Sequence, residues 1–252
     1  MATGGSSRLK VRLTTLLFDL DGTLVDMQRR GLELRFMLRA FRRFWPAIHP
    51  WRFRRAFWQA AERLQAHGSP KTNYAVFLET LAQYSRVDRD SLDRIVREFL
   101  VHDFPHLSGH FVPIPGARET LELARRLDYR VVLATNPVWP LDAVRTRLHA
   151  GGLHDFAFDF ISHSEVMTCC KPDPRYYREL LERLQARGEE CLMIGNDPRK
   201  DLPAKEAAIN TFLIGNHPPD PRMDACGTLQ DLRSGIARER ETSWLVNRRS
   251  FV

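Results

Sequence analysis

Two carboxylates stand directly after the first apolar segment of the chain. Asp19 and Asp21 follow the apolar residues 16–18, and Gly22 and Thr23 come next. A short apolar run bounded by a turn signal predicts a buried strand of a parallel sheet, and open α/β sheets bind ligands at the carboxyl ends of such strands. Two carboxylates at this spacing can act as a nucleophile and an acid/base partner, or can bind a hard divalent cation. Asp-Gly is also a common turn signal, so this segment alone remains compatible with a turn that has no catalytic role.

Polar residues also follow or open three later segments. Thr135 and Asn136 follow a second apolar run, Lys171 precedes a helix-like segment, and Asp197 and Asp201 follow a further apolar run. Because the carboxyl ends of parallel strands meet at one edge of a sheet, these side chains can converge with the first two carboxylates. Taken singly, each has an ordinary alternative: a turn cap, a solvated lysine, a turn-initiating aspartate or a helix N-cap.

The pattern of the second half alternates between helical and strand periods. This alternation predicts an α/β fold, a Rossmann-like sheet of about five parallel strands flanked by helices and joined by right-handed crossovers. Helices are predicted over 117–127, 140–149, 174–187 and 201–208, with a short one near 228–237, and strands over 130–135, 156–162, 191–196 and 211–214.

The segment between the first two motifs, residues 27–112, has helical periodicity and no clear strand signal. We predict an all-helical cap subdomain over 27–112, inserted into a core formed by 1–26 and 113–252. The segment carries 15 Lys and Arg against 8 Asp and Glu, so the whole net charge of +7 lies there. Its runs FRRFW and WRFRRAFW interleave arginines with aromatic residues. Such runs can form a protein interface or a surface on which nucleic-acid bases stack. In the alternative interpretation, the aromatic residues pack in the core of the segment and the arginines face solvent.

Taken together, the four motifs resemble those of the haloacid dehalogenase superfamily: DxDGT, a strand ending in Thr or Ser, a Lys, and GD or GND followed by Asp. The match runs over residues 13–215 in the order of that family. The resemblance implies a Mg²⁺-dependent phosphatase that hydrolyses a small phosphorylated metabolite through an aspartyl-phosphate. Asp19 would be the nucleophile and the side chain of Asp21 the acid and base.

The same resemblance implies roles for the later motifs. Thr135 and Lys171 would bind the phosphate, with a backbone N–H near Asn136. The ligands of Mg²⁺ would be Asp19, the backbone carbonyl of Asp21, and Asp197. Asp201 would support the site, either near the metal through water or by holding Lys171.

Several alternatives stay open at this point. An acid/base at Asp21 favours phosphate esters over halides, because a halide leaves without a proton. A phosphomutase could use the same core, and a non-enzymatic scaffold could use its basic cap to bind an acidic partner. For the enzyme, we expect a cap arginine, Arg29 or Arg30, to bind a second anionic group of the substrate.

Composition excludes several classes of protein. No apolar run approaches 18 residues, which argues against membrane insertion, and the first residues lack a secretory pattern, so we expect a cytoplasmic protein. Four cysteines predict neither a disulfide framework nor a zinc site. Cys169 and Cys170, beside Lys171, are either redox-sensitive or buried and inert. Nucleic acid is not the expected partner, and the sequence leaves the oligomeric state open.

Overall fold

A central parallel sheet organises the chain in the computed structural model, which describes residues 12–66 and 70–249. The strands are β1 (Thr15–Phe18), β2 (Val25–Met27), β3 (Phe111–Pro113), β4 (Arg130–Leu133), β5 (Phe160–Ile161), β6 (Cys191–Gly195), β7 (Asn210–Ile214) and β8 (Ala225–Gly227). Six of them form one sheet in the order β5-β4-β1-β6-β7-β8, in which every pairing is parallel. The predicted α/β class is confirmed.

β1 lies near the middle of this sheet because it can be buried on both faces. All four of its residues are buried, and its pairing brings Leu17 opposite Val132 of β4 and Met193 of β6. A near-continuous apolar run is what a parallel strand covered on both sides requires. The consequence is that the residues following β1, β4 and β6 end at the same edge.

Helices pack on both sides of the sheet and fill the segment between β2 and β3. They are α1 (Leu32–Phe44), α2 (Pro50–Ala66), α3 (Asn73–Ser85), α4 (Arg89–Glu98), α5 (Ala117–Arg126), α6 (Leu141–Ala150), α7 (Pro174–Leu184), α8 (Pro198–Asp201) and α9 (Leu229–Arg249). A π-helical turn (Phe99–Asp103) and a 3-10 helix (Phe104–His110) follow α4. No helix among the residues described is long and apolar enough to cross a membrane.

A short antiparallel ribbon brackets the helical segment. β2 pairs with β3, with Asp26 opposite Val112, so the chain leaves and re-enters the sheet-bearing part at one point. This ribbon was not predicted, because three-residue strands are too short to show a period of two. Residue 27 and residues 111–112 are therefore strand rather than helix, whereas the stretch from Leu32 to His110 is mostly helical.

The aromatic residues of the two arginine-rich runs divide between the inside and the surface. Phe44 and Phe53 pack together, with ring centroids 4.6 Å apart, and both are buried. Trp45, Trp51 and Trp58 are instead 64%, 72% and 58% exposed. The inward packing expected for the aromatic residues holds for the phenylalanines and is wrong for these tryptophans.

Other differences lie at the ends of elements. The strand predicted over 156–162 is only the two residues of β5, and the helix predicted from 201 begins at Pro198 and continues as a 3-10 helix over Leu202–Ala207. β8 was not predicted, and α9 extends beyond 237 to Arg249.

Candidate active site

A lysine between two carboxylates forms the centre of the site. Asp19 follows β1, Lys171 precedes α7, and Asp201 ends α8. The Lys171 ammonium donates to Asp19 Oδ1 at 3.0 Å and to Asp201 Oδ1 at 2.7 Å. Its side chain is fully buried, and those of Asp19 and Asp201 are 13% and 2% exposed. One cation is thereby held between two carboxylates in a nearly dry environment.

Burial and charge shift the protonation of this cluster. Burial raises the pKa of Asp19 to about 7, with Asp201 and Asp21 adding repulsion and Lys171 opposing the rise. Burial alone would lower the pKa of Lys171, but the facing Asp19 and Asp201 outweigh it, and the pKa rises well above its ordinary value. Lys171 is therefore a cation at neutral pH, and ionising Asp19 costs free energy.

Asp21, predicted as the acid and base, has a partner that the sequence analysis missed. Its Oδ2 accepts a hydrogen bond from Arg147 Nη1 at 2.5 Å, and the Arg147 side chain is 3% exposed. Asp21 Oδ1 and Arg147 Nη2 are both buried without a hydrogen-bond partner among the described residues. Arg147 lies on the buried face of α6 beside Ala143 and Val144. An arginine at a core position of a helix was the available signal, since Arg is almost never fully buried unless paired.

Two glycines are required by close approach around the site. Gly22 has φ +87°, and a Cβ there would collide with the side-chain amide of Asn196. A Cβ at Gly195 would likewise collide with the carboxylate of Asp201. The Thr23 hydroxyl donates to Asn196 Oδ1 at 3.4 Å. The loop after β1 and the loop after β6 are thus in direct contact.

Thr135 and Asn136 reach the same edge after β4. Thr135 is buried, and its carbonyl accepts hydrogen bonds from Ser162 Oγ at 2.6 Å and from the Tyr176 hydroxyl at 3.1 Å. Asn136 Oδ1 accepts from the backbone N–H of Lys171 at 3.0 Å. The Asn136 side chain therefore fixes the loop that carries the lysine.

Asp197 has a different local environment from the other carboxylates. It is the N-cap of α8, where Oδ1 accepts from the Arg199 N–H at 3.0 Å, and Oδ2 lies 3.4 Å from Lys200 Nζ. Its own backbone N–H donates to Asp201 Oδ2 at 3.0 Å. The N-cap suggested as an alternative for Asp201 is therefore at Asp197.

One buried side chain of the helical segment is hydrogen-bonded to two loops of the site. Asn73, at the start of α3, donates through Nδ2 to the carbonyl of Pro137 at 3.1 Å and to that of Cys169 at 3.3 Å. Its backbone N–H also donates to the carbonyl of Met167 at 2.8 Å. Asn73 thus joins α3 to both the loop after Thr135 and the loop before Lys171.

The remaining candidates lie outside this cluster. Arg29 and Arg30 are exposed in the turn before α1. Burial raises the pKa of Cys170 to about 12 and also raises that of Cys169. Both cysteines are therefore thiols near neutral pH, and this favours buried, inert cysteines over redox-sensitive ones.

The arrangement suits a reaction on an anionic group. Asp19, at the end of β1, can act as a nucleophile. The Lys171 cation beside it can stabilise an oxyanion, and Asp21, two residues on, can carry a proton. All three lie at the sheet edge where ligands of parallel α/β sheets bind.

Comparison with known proteins gives consistent results. A model of the haloacid dehalogenase-like hydrolase family matches residues 13–208. The pyrophosphatase PpaX of Halalkalibacterium halodurans is 23% identical over 205 residues, which cover 81% of this chain and 85% of that protein. The phosphoserine phosphatase of Thermus thermophilus is 35% identical over 129 residues, 50% of this chain and 48% of that one. The crystal structure of a HAD phosphatase from Thermococcus onnurineus superposes with a TM-score of 0.58 at 21% identity, over 90% of this chain and 100% of that one, which shows a shared fold.

Proposed function

The chain belongs to the haloacid dehalogenase-like hydrolase family, and from that premise we propose that it is a Mg²⁺-dependent phosphatase acting on a small phosphorylated metabolite through an aspartyl-phosphate. The single observation that supports this most is the Lys171 ammonium between Asp19 and Asp201, with Asp21 two residues from the nucleophile. The phosphatase-named relatives favour phosphoryl transfer over carbon–halogen cleavage.

Each step of the proposed reaction can be assigned to a residue of this chain. An oxygen of Asp19 attacks phosphorus, and the P–O bond to the leaving group breaks as the Asp21 carboxyl donates its proton to the departing oxygen. In the second step Asp21 takes a proton from water, which attacks phosphorus and releases Asp19 as a carboxylate. Lys171 and the Thr135 hydroxyl stabilise the phosphoryl oxygens throughout. Arg147 orients Asp21 through its bond to Oδ2.

The donor set fits Mg²⁺. Asp19 and Asp201 flank Lys171, and Asp21 follows Asp19 by two residues. Burial is the largest cause of the raised pKa of Asp19, and repulsion from Asp201 and Asp21 adds to it, which a bound cation would relieve. Within the described ranges no three His, Cys, Asp or Glu side chains are gathered as a metal cluster. The proposed set needs fewer, because one of its oxygens is the backbone carbonyl of Asp21.

Asp19, the backbone carbonyl of Asp21 and Asp197 would hold the ion. When bound, Mg²⁺ offsets the repulsion between the Asp19 carboxylate and the phosphate. Asp201 supports the site by holding Lys171, which is the second of its two expected roles.

The experiment is a phosphate-release assay with a panel of phosphate monoesters and pyrophosphate. Turnover should require Mg²⁺, stop with EDTA and return when Mg²⁺ is restored, and Asp19→Asn should abolish it. Folded wild-type protein that releases no phosphate from any substrate would overturn the proposal and favour a non-enzymatic scaffold. Transfer of the phosphoryl group to a second hydroxyl of a sugar phosphate, with no release, would instead show a phosphomutase.

A second anionic group of the substrate would meet the basic helical segment. Arg29 and Arg30 lie nearest in sequence to Asp21 among its arginines, and both are exposed to solvent. Arg29→Ala and Arg30→Ala should lower kcat/KM for a dianionic metabolite ester more than for an uncharged aryl phosphate. Arg63→Ala, an exposed arginine of α2, is the matched control. An equal fall for both substrates, or for neither, would exclude this role.

A further inference from the structure

A cavity of about 200 Å³ lies at the centre of the helical segment, apart from the Lys171 cluster. Side chains of all four helices α1–α4 form its walls, among them Phe36, Phe53 and Phe77. The segment 138–140 and Ser164, which belong to the sheet-bearing part of the chain, form the remaining side. The cavity therefore lies where the two parts of the chain meet.

The lining of this cavity is almost entirely apolar. Among the described residues that form it, none carries a charge, and three have a polar side-chain atom: Tyr74, Trp139 and Ser164. The Tyr74 hydroxyl is already bound to Asp93 Oδ1 at 2.6 Å. Protein interiors are close-packed and have few voids larger than a water molecule, so an apolar space of this size is unusual, and such spaces can bind apolar ligands.

A buried polar atom of the described lining, the Ser164 hydroxyl, has no hydrogen-bond partner there. Ser164 is 1% exposed, and its Oγ has no hydrogen-bond partner among the described residues. Its backbone groups, in contrast, are bonded to Trp139 and Tyr74. A buried hydroxyl without a partner is unfavourable, and a hydrogen bond from a ligand would satisfy it.

The cavity shares a loop with the phosphate site. Thr135 and Asn136 lead directly into Val138, whose backbone N–H donates to the Asn136 carbonyl at 2.9 Å. Val138 also packs with Cys170, the residue before Lys171. The two loops that carry Asn136 and Lys171 thus both contact Val138, a residue of the cavity wall.

We propose that this cavity binds an apolar part of the substrate, so that the enzyme acts on phosphate esters whose alcohol carries a compact alkyl or aryl group. This rests on the proposed phosphatase function and names its substrate class. An apolar cavity of 150 Å³ in another protein holds benzene, so 200 Å³ has room for a ring or a chain of about six carbons. Ser164 would bind one polar atom of that group.

The first test compares turnover of n-hexyl phosphate with that of methyl phosphate. Burying the five additional methylene groups should raise kcat/KM on the order of a thousandfold. Ala61→Leu places a larger side chain in the cavity wall and should reduce this preference at least tenfold. Ala75→Leu, the same change on α3 outside the lining, should leave the preference unchanged.

The second test uses hexan-1-ol and toluene, which have no phosphate, and follows their binding by the NMR shifts of the Ala40 and Leu81 methyl groups. Both should bind, and Ser164→Ala should weaken binding of the alcohol several-fold without weakening that of toluene. Equal effects on both ligands would overturn the role of Ser164.

The two tests separate the two proposals. Hydrolysis of methyl phosphate without a preference for the hexyl ester would overturn the cavity proposal and leave the phosphatase standing. Failure of both apolar ligands to bind would also overturn it, because the cavity would then be a packing void. Binding of hexan-1-ol without hydrolysis of any ester would overturn the phosphatase function, and with it the assignment of the cavity to a substrate.

Discussion

Replacing Asp19 by Asn is expected to stabilise the folded chain at neutral and high pH. The pKa of Asp19 rises from its ordinary 3.8 to about 7 on folding, a difference of about three pH units. At about 1.4 kcal/mol per unit, ionised Asp19 lowers the free energy of unfolding on the order of 4 kcal/mol above pH 7. Below pH 4 the group is protonated in both the folded and the unfolded chain, so the penalty vanishes. Stability should therefore fall as pH rises from about 4 to about 7.

The assay is urea unfolding of wild type and Asp19→Asn at a series of pH values from 4 to 9, with EDTA present to remove bound cations. The difference in the free energy of unfolding between the two proteins should be near zero at pH 4 and should reach a few kcal/mol by pH 8, with the dependence on urea concentration unchanged. Asp26→Asn, at an exposed position outside the site, is the control and should show no such pH dependence. If Asp19→Asn is no more stable than wild type at pH 8, the burial of an ionised carboxylate has been misjudged.

Three further substitutions test the contacts around Asp19. Lys171→Met leaves two buried carboxylates without their cation and should lower the free energy of unfolding by about 3–5 kcal/mol, measured by urea unfolding at pH 8; a loss under 1 kcal/mol would contradict the burial of the cluster. Arg147→Met frees Asp21 and should reduce kcat at least tenfold with little change in KM, and an unchanged kcat would rule out a positioning role. Asn73→Ala removes two hydrogen bonds to the loops of the site and should speed amide hydrogen exchange over 135–140 and 168–171; exchange confined to α3 would show that the loops do not depend on it.

The parts of the fold that followed from the sequence are those with long apolar runs. β1, β4, β6 and β7 were predicted because each is an apolar run with a polar or glycine boundary. The proximity of Asp19, Lys171 and Asp201 could be predicted from the topology, since residues that follow parallel strands meet at one edge of the sheet. β8 was missed because Ala225, Cys226 and Gly227 are small and mostly exposed, with no apolar signal.

The details of the site needed coordinates. The partner of Asp21, Arg147, is 126 residues away in sequence, and no local pattern connects the two. The sequence left two roles open for Asp201, and the coordinates show that it binds Lys171, whereas Asp197 caps α8. The cavity in the helical segment depends on how aromatic side chains fit against each other, which hydrophobic periodicity does not determine.

The central claim, a covalent phosphoryl intermediate on Asp19, can be tested by trapping it. Wild-type enzyme with Mg²⁺ is mixed with an activated substrate such as acetyl phosphate and quenched in acid after a fraction of a turnover, then digested and analysed by mass spectrometry. The account predicts one phosphoryl group on the peptide that contains Asp19, accumulating further in Asp21→Asn because hydrolysis then lacks its base. A phosphoryl group on another residue, or full turnover with none trapped in either protein, would contradict it.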